Sequence, residues 1–129
     1  VRSKDFKYIR NFMTDRPLMQ SQYRDKRKDY KLLIEAYKAP NVSFYKKWLD
    51  DFRPSEELYD LKADPHEINN LAGNPKYDTQ LKTMRDFLDN WVKETDDKGQ
   101  YPESKEQLQA LYERWGERCV NVEYEAVKK

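Results

Sequence analysis

Between residues 6 and 12 the chain alternates. In FKYIRNF, Phe6, Tyr8 and Phe12 fall on one side of an extended backbone, and Lys7, Ile9 and Asn11 on the other. A period of two predicts a half-buried β-strand. Arg16-Pro17 closes it, because proline has no N–H for a ladder and pushes its predecessor out of the helical region. A second alternating run, Glu57-Leu58-Tyr59-Asp60-Leu61, predicts another strand, and antiparallel pairing with the first is the simplest arrangement.

The segments between and after these runs follow the helical period. Residues 21–31, SQYRDKRKDYK, read as a charged loop entering a helix over Asp29 to Lys38, which Ala39-Pro40-Asn41 breaks. Ser43 predicts the cap of a further helix carrying Phe44, Tyr45, Trp48, Leu49 and Phe52, ended by Arg53-Pro54. Asp64-Pro65-His66-Glu67 has the form of a capping box and predicts a helix start. Asn74-Pro75 opens the longest predicted helix, whose stripe is Tyr77, Leu81, Met84, Leu88 and Trp91 and whose end is Asp96-Asp97-Lys98-Gly99. After the connector at Tyr101-Pro102, Ser104 caps a last helix with Leu108, Leu111, Tyr112 and Trp115 on its inner face and Gly116 as its stop. Val120, Val122 and Tyr124 alternate and predict an edge strand. The fold class is α+β: a small antiparallel sheet packed against a long amphipathic helix, with additional helices.

Composition narrows the functional classes. With 129 residues the chain suits one modest core, since 37% of it is hydrophobic and 38% charged. Ten Tyr, five Phe and three Trp supply much of the apolar surface and argue against intrinsic disorder. A net charge of +1 excludes a dedicated nucleic-acid binder, which carries a large basic excess. No apolar run approaches the roughly 18 residues of a membrane span, so no membrane partner is expected. The chain opens on Val1-Arg2-Ser3 with neither an initiating methionine nor a signal peptide, as a portion of something longer would.

No complete active site emerges from the residues. The only histidine, His66, sits where a solvated surface residue is the ordinary finding. Glu56 and Glu57 are neighbours on a strand and point to opposite faces, one exposed carboxylate on each side rather than an acid/base pair. The single Cys119 has no histidine beside it to act as base. The three glycines, at 73, 99 and 116, are too far apart for a phosphate loop. No catalytic or metal-binding residue is assigned. The basic run Arg24, Lys26, Arg27, Lys28 and Lys31, interleaved with Tyr23 and Tyr30, has the chemistry to meet a sulfated polyanion. Asp25 and Asp29 dilute it, as on a solvated face.

Three stretches together resemble a known family: Tyr8-Ile9-Arg10-Asn11 with Arg16-Pro17; Arg53-Pro54-Ser55-Glu56-Glu57-Leu58-Tyr59-Asp60-Leu61; and Asp64-Pro65-His66-Glu67-Ile68-Asn69-Asn70-Leu71-Ala72. They resemble the C-terminal subdomain of the sulfatases, in the heparan N-sulfatase (sulfoglucosamine sulfohydrolase) branch. The resemblance covers residues 1–103, and residues 104–129 stand as an unrecognised extension. It implies a parent hydrolase cleaving sulfate esters or N-sulfates, on sulfated glycans such as glycosaminoglycans. It further implies a formylglycine nucleophile, calcium, and a periplasmic, secreted or lysosomal setting. All of that chemistry belongs to an N-terminal catalytic domain outside this chain. Cys119 is followed by Val120-Asn121-Val122-Glu123, which lacks the modification motif, so the isolated chain is expected to be inactive.

The expected partners are that catalytic domain, a sulfated glycan and, through the docking face, a second copy of the chain. Arg16, Gln20, Arg24 and Arg27 are the candidate substrate contacts, because arginine's planar fork suits sulfate. The alternative class is a stand-alone module binding sulfated polysaccharide or another protein.

Overall fold

The computed structural model describes residues 1–19, 26–39 and 52–128. The chain divides into two compact units, Val1–Thr95 and Asp96–Lys129.

In the first unit, β1 (Phe6–Arg10) and β2 (Glu56–Asp60) pair antiparallel, with Tyr8 opposite Leu58 and Arg10 opposite Glu56. This is the predicted pairing. The ladder bonds fall on Lys7, Ile9 and their partners, so Tyr8 and Leu58 form a non-hydrogen-bonded pair whose side chains approach closely. Both are fully buried. They form a core with Leu81 and Met84 of α2 (Asp78–Thr95), and Val1, Phe6, Leu71, Tyr77 and Leu88 pack around it. Phe6 meets Tyr77 edge to face, with ring centroids 6.2 Å apart. The fold class is α+β as predicted.

Asn74 caps the entry to α2, its side chain accepting from the Lys76 amide at the 3₁₀ turn Pro75–Tyr77. The predicted stripe holds from Tyr77 to Leu88, but Trp91 is 46% exposed because the sheet beneath the helix is only two strands wide. Phe12, placed by alternation with Tyr8, lies past the end of β1 and is also exposed. Helix α1 (Lys28–Lys38) begins one residue before the predicted start and ends at Ala39; it has no fully buried residue, and Tyr30, Ile34 and Tyr37 are half-buried. The helix predicted after Ser43 falls outside the described residues, apart from Phe52.

The expectation of a helix at Asp64-Pro65-His66-Glu67 is corrected: residues 61–73 are turns. Glu67 takes a left-handed backbone, φ +55°, which no α-helix tolerates. Its carboxylate reaches Lys7 on β1 at 2.6 Å instead of capping a helix. Asp64 accepts from the Asn69 amide at 2.7 Å, beyond the span of a capping box.

The second unit contains α3 (Lys105–Trp115). A full capping box opens it: Ser104 accepts from the Gln107 amide, and the Gln107 side chain accepts from the Ser104 amide. Leu108, Cys119 and Val127 are its buried apolar residues. Leu111 and Trp115, predicted on the inner face, are exposed, and Tyr112 is half-buried. The tail is not an edge strand. Amides of Tyr124 and Val127 donate to the carbonyls of Asn121 and Tyr124, closing a 3₁₀ turn over Val122–Ala126 and leaving Val120 and Val122 63% exposed. Among the described residues no helix is long and apolar enough to cross a membrane.

Candidate functional site

The polar residues of the first unit gather where β1 and β2 meet α2. Glu56 sits on the same sheet face as Leu58, so its carboxylate points at the helix. There Arg85 grips it as a fork, Nε to Oε1 at 2.8 Å and Nη2 to Oε2 at 2.6 Å. The Tyr8 hydroxyl donates to the same Oε1. Arg10 donates from Nε to the Tyr8 oxygen at 3.2 Å and from Nη1 to Asp89, one turn beyond Arg85. Its guanidinium also lies 5.9 Å from the centre of the Tyr8 ring. Two arginines, two carboxylates and one phenol thus form a closed and neutral chain.

Electrostatics follow from these partners. The Arg85 fork, aided by the Tyr8 hydroxyl, holds the Glu56 carboxyl down to about 2, against a smaller upward push from burial. Burial and the adjacent Glu56 raise the Tyr8 phenol. The Arg10 guanidinium lowers Asp89. Every charge is locked in one state near neutral pH, so the cluster offers neither a general acid nor a general base. The expectation of an exposed carboxylate at Glu56 is corrected: it is half-buried and fully engaged. On the opposite face Glu57 accepts from Asn11 at 2.8 Å and from the hydroxyl of buried Tyr59, whose pKa burial raises.

A second arrangement completes the outer edge of β2. The Asn70 side chain accepts from the Leu58 amide at 2.9 Å and donates to the Glu56 carbonyl at 3.0 Å. The Leu71 amide donates to the Leu58 carbonyl at 2.8 Å, and that of Asp64 to the Asp60 carbonyl at 2.8 Å. A side-chain amide here takes the place of a neighbouring strand, which leaves β2 no open edge.

The predicted contact residues are placed as follows. Arg16 is 13% exposed in its side chain and forks onto Asp15 at 2.9 and 3.2 Å. Arg27, at the start of α1, forks onto Asp29 at 3.0 and 2.8 Å and is exposed, as are Lys26, Lys28 and Lys31. Gln20 and Arg24 lie outside the described residues. Near Arg16, Arg53 donates from both Nε and Nη2 to the Pro17 carbonyl, and its amide bonds the Thr14 carbonyl, tying residues 14–17 to the entry of β2.

Calcium and formylglycine find no fitting set among the described residues. No group of three His, Cys, Asp or Glu converges to hold a cation. The Cys119 thiol is buried against the Leu111 carbonyl at 3.8 Å. His66 is exposed.

The sequence reading missed the Glu56–Arg85 grip and the role of Asn70. A signal existed for the first: Arg85 and Asp89 are one turn apart and flank the stripe at Met84 and Leu88. The segments that carried the resemblance supply Tyr8, Arg10, Glu56, Leu58, Asp64, Asn70 and Leu71, so they meet in space.

Comparison with known proteins agrees with that convergence. No family model and no solved structure matches the chain. An ulvan-active sulfatase of Formosa agariphila is 36% identical over 107 residues, 81% of this chain and 18% of that protein. Human N-sulphoglucosamine sulphohydrolase is 46% identical over 46 residues, 36% of this chain and 9% of that protein. A delta 4,5-hexuronate-2-O-sulfatase of Bacteroides thetaiotaomicron is 48% identical over 42 residues, 33% of this chain and 9% of that protein. The chain is therefore a sulfatase homologue, matching those proteins over a segment that makes up less than a fifth of their length.

Proposed function

We propose that this chain is the C-terminal subdomain of a sulfatase, with residues 1–103 as its sulfatase-like portion and residues 104–129 as an addition. The parent hydrolyses sulfate esters or N-sulfates on a sulfated glycan. The catalytic domain, with formylglycine and its calcium, precedes this segment, and the present chain buttresses it. The observation that carries this reading is the long run of identity with the ulvan-active sulfatase. A substrate among sulfated sugars is supported by the names of two further relatives, which specify sulphoglucosamine and a hexuronate 2-O-sulfate.

The residues in hand fit a supporting part. The charged groups of the Glu56 cluster are spent on one another, which stiffens the sheet–helix joint and offers no reacting group. Arg16, Gln20, Arg24 and Arg27 are proposed to meet substrate beyond the scissile sulfate. For Arg16 and Arg27 the sulfate has to displace a neighbouring aspartate, Asp15 or Asp29. Displacement of an exposed surface ion pair costs little, on the order of 1 kcal/mol or less.

Sulfate release from sulfated oligosaccharides tests the reading. The full-length protein is expected to release sulfate and the 129-residue chain none. Arg16→Ala in the full-length protein should raise KM with kcat little changed. A full-length protein without sulfatase activity on any sulfated sugar would overturn the assignment.

A further inference from the structure

The ladder of β1 continues past what pairs with it on its outer side. On β1, Lys7, Ile9 and Asn11 face β2, because the Asn11 amide bonds the Ser55 carbonyl and the Leu61 amide bonds the Asp5 carbonyl in the same phase. Phe6, Tyr8 and Arg10 therefore direct their N–H and C=O groups to the other edge. At Phe6 the carbonyl takes the Ser3 amide at 2.8 Å. At Tyr8 both groups are taken by Val1: the Tyr8 amide donates to the Val1 carbonyl at 2.8 Å, and the Val1 nitrogen donates to the Tyr8 carbonyl at 2.9 Å. Arg2 lies opposite Lys7, so residues 1 and 2 form the beginning of an antiparallel third strand. The Val1 side chain packs on the Tyr8–Leu58 core, as a strand residue on that face does. Arg10 comes next in phase, and among the described residues no group pairs with its N–H or its C=O.

We infer that the segment preceding Val1 in the longer protein continues this third strand antiparallel to β1, and that the residue two positions before Val1 pairs with Arg10. The inference rests on the reading of this chain as a C-terminal part, and it states how that part is joined to what comes before. Three observations favour this occupant. The register is already set by Val1 and Arg2. The opposite edge of the sheet is closed by Asn70 and Leu71, so Arg10 marks where pairing is open. The Val1 nitrogen is half-buried and near Lys7, surroundings that disfavour a positive ammonium there, whereas a peptide N–H makes the same bond without charge. The sheet then has three strands, and its new member leads directly into the preceding domain.

Backbone amide exchange in the full-length protein tests this. The Arg10 amide is expected to be protected to within about tenfold of the Tyr8 amide. Arg10 exchanging at the unprotected rate while Tyr8 stays slow would overturn the inference. So would protection of Arg10 that rises with protein concentration, because a second copy would then occupy the edge. Proline scanning gives an independent check through strand parity. Proline two residues before Val1 removes the N–H directed at Arg10 and should destabilise the protein. Proline one residue before Val1 removes an N–H that faces outward and should be tolerated. Equal tolerance at both positions would overturn the inference. Sulfate release is measured on the same samples: protected Arg10 without activity sinks the sulfatase reading and leaves the strand standing, and activity with open Arg10 does the reverse.

Discussion

Arg85, from the middle of the long helix, closes on both carboxylate oxygens of Glu56, the first residue of β2. No other ion pair in the first unit joins the helix to β2 through two parallel bonds, among the described residues. Replacing Arg85 with methionine keeps the stem's packing and leaves a half-buried carboxylate with Tyr8 as its remaining partner on that side. The expected loss is on the order of 1–2 kcal/mol, reduced from a fully buried pair because the arginine is partly solvated. Urea unfolding of Arg85→Met, Glu56→Gln and the double variant would show it as a coupling energy. Additive effects would place the stabilisation elsewhere.

The same pair dictates a pH response. The folded Glu56 carboxyl is held at about 2, below its ordinary 4.5, so its contribution is complete above about pH 4.5 and disappears as pH falls through 2. Asp89, lowered by Arg10, acts in the same direction. The urea midpoint should be flat from neutral pH to about 5 and should then decline by the equivalent of ~1 kcal/mol after screening. Glu56→Gln should flatten that decline. An unaltered acid limb in the variant would remove Glu56 as its source.

Asn70 offers a test of edge closure. Asn70→Ala strands the Leu58 amide and the Glu56 carbonyl, at a cost of about 1–3 kcal/mol. Asn70→Asp keeps an acceptor for Leu58 and loses the donor to Glu56, so it should fall between wild type and alanine. The opened edge should also make the alanine variant associate, measurable by light scattering at rising concentration.

Two glycines give a matched comparison. Gly116 has φ +56°, where a side chain strains the backbone, and a Cβ there would touch nothing within 4 Å. Gly116→Ala should therefore cost about 1–3 kcal/mol through conformation alone. Gly73 has equal space and no positive φ, so Gly73→Ala should be neutral or stabilise by up to ~1 kcal/mol. Equal effects at the two sites would contradict this account.

In the core, Leu81→Ala and Met84→Ala each remove a buried side chain from the contact with Tyr8 and Leu58 and should cost about 2–5 kcal/mol. Trp91→Ala, on the exposed continuation of the same stripe, should cost less than either. Thermal unfolding ranks the three, and a Trp91 effect as large as that of Leu81 would show that the stripe is buried throughout.

How much was legible depends on how local the deciding physics is. The alternation of Phe6–Tyr8 and Leu58, and the four-and-three spacing of Leu81, Met84 and Leu88, encode which faces are buried, so strands, pairing and main helix could be read directly. The caps at Asn74 and Ser104 are equally local. Asp64 to Glu67 misled because a capping box and a turn use the same residues; the choice was made by Lys7, sixty residues earlier in the chain. Trp91 continues the stripe in sequence, but the width of the sheet decides whether anything lies beneath it. Val120, Val122 and Tyr124 alternate like a strand, yet alternation supplies no edge to pair with. The Glu56 cluster required knowledge of which strand residue faces which turn of the helix.

Cys119 is the only sulfur nucleophile in the chain, and it is buried within the second unit, behind the end of α3. It makes that unit a clock that needs no added label. A thiol reagent reaches the sulfur only when residues 105–127 open, so its rate of attack times that opening, and the first unit, which has no cysteine, stays silent throughout.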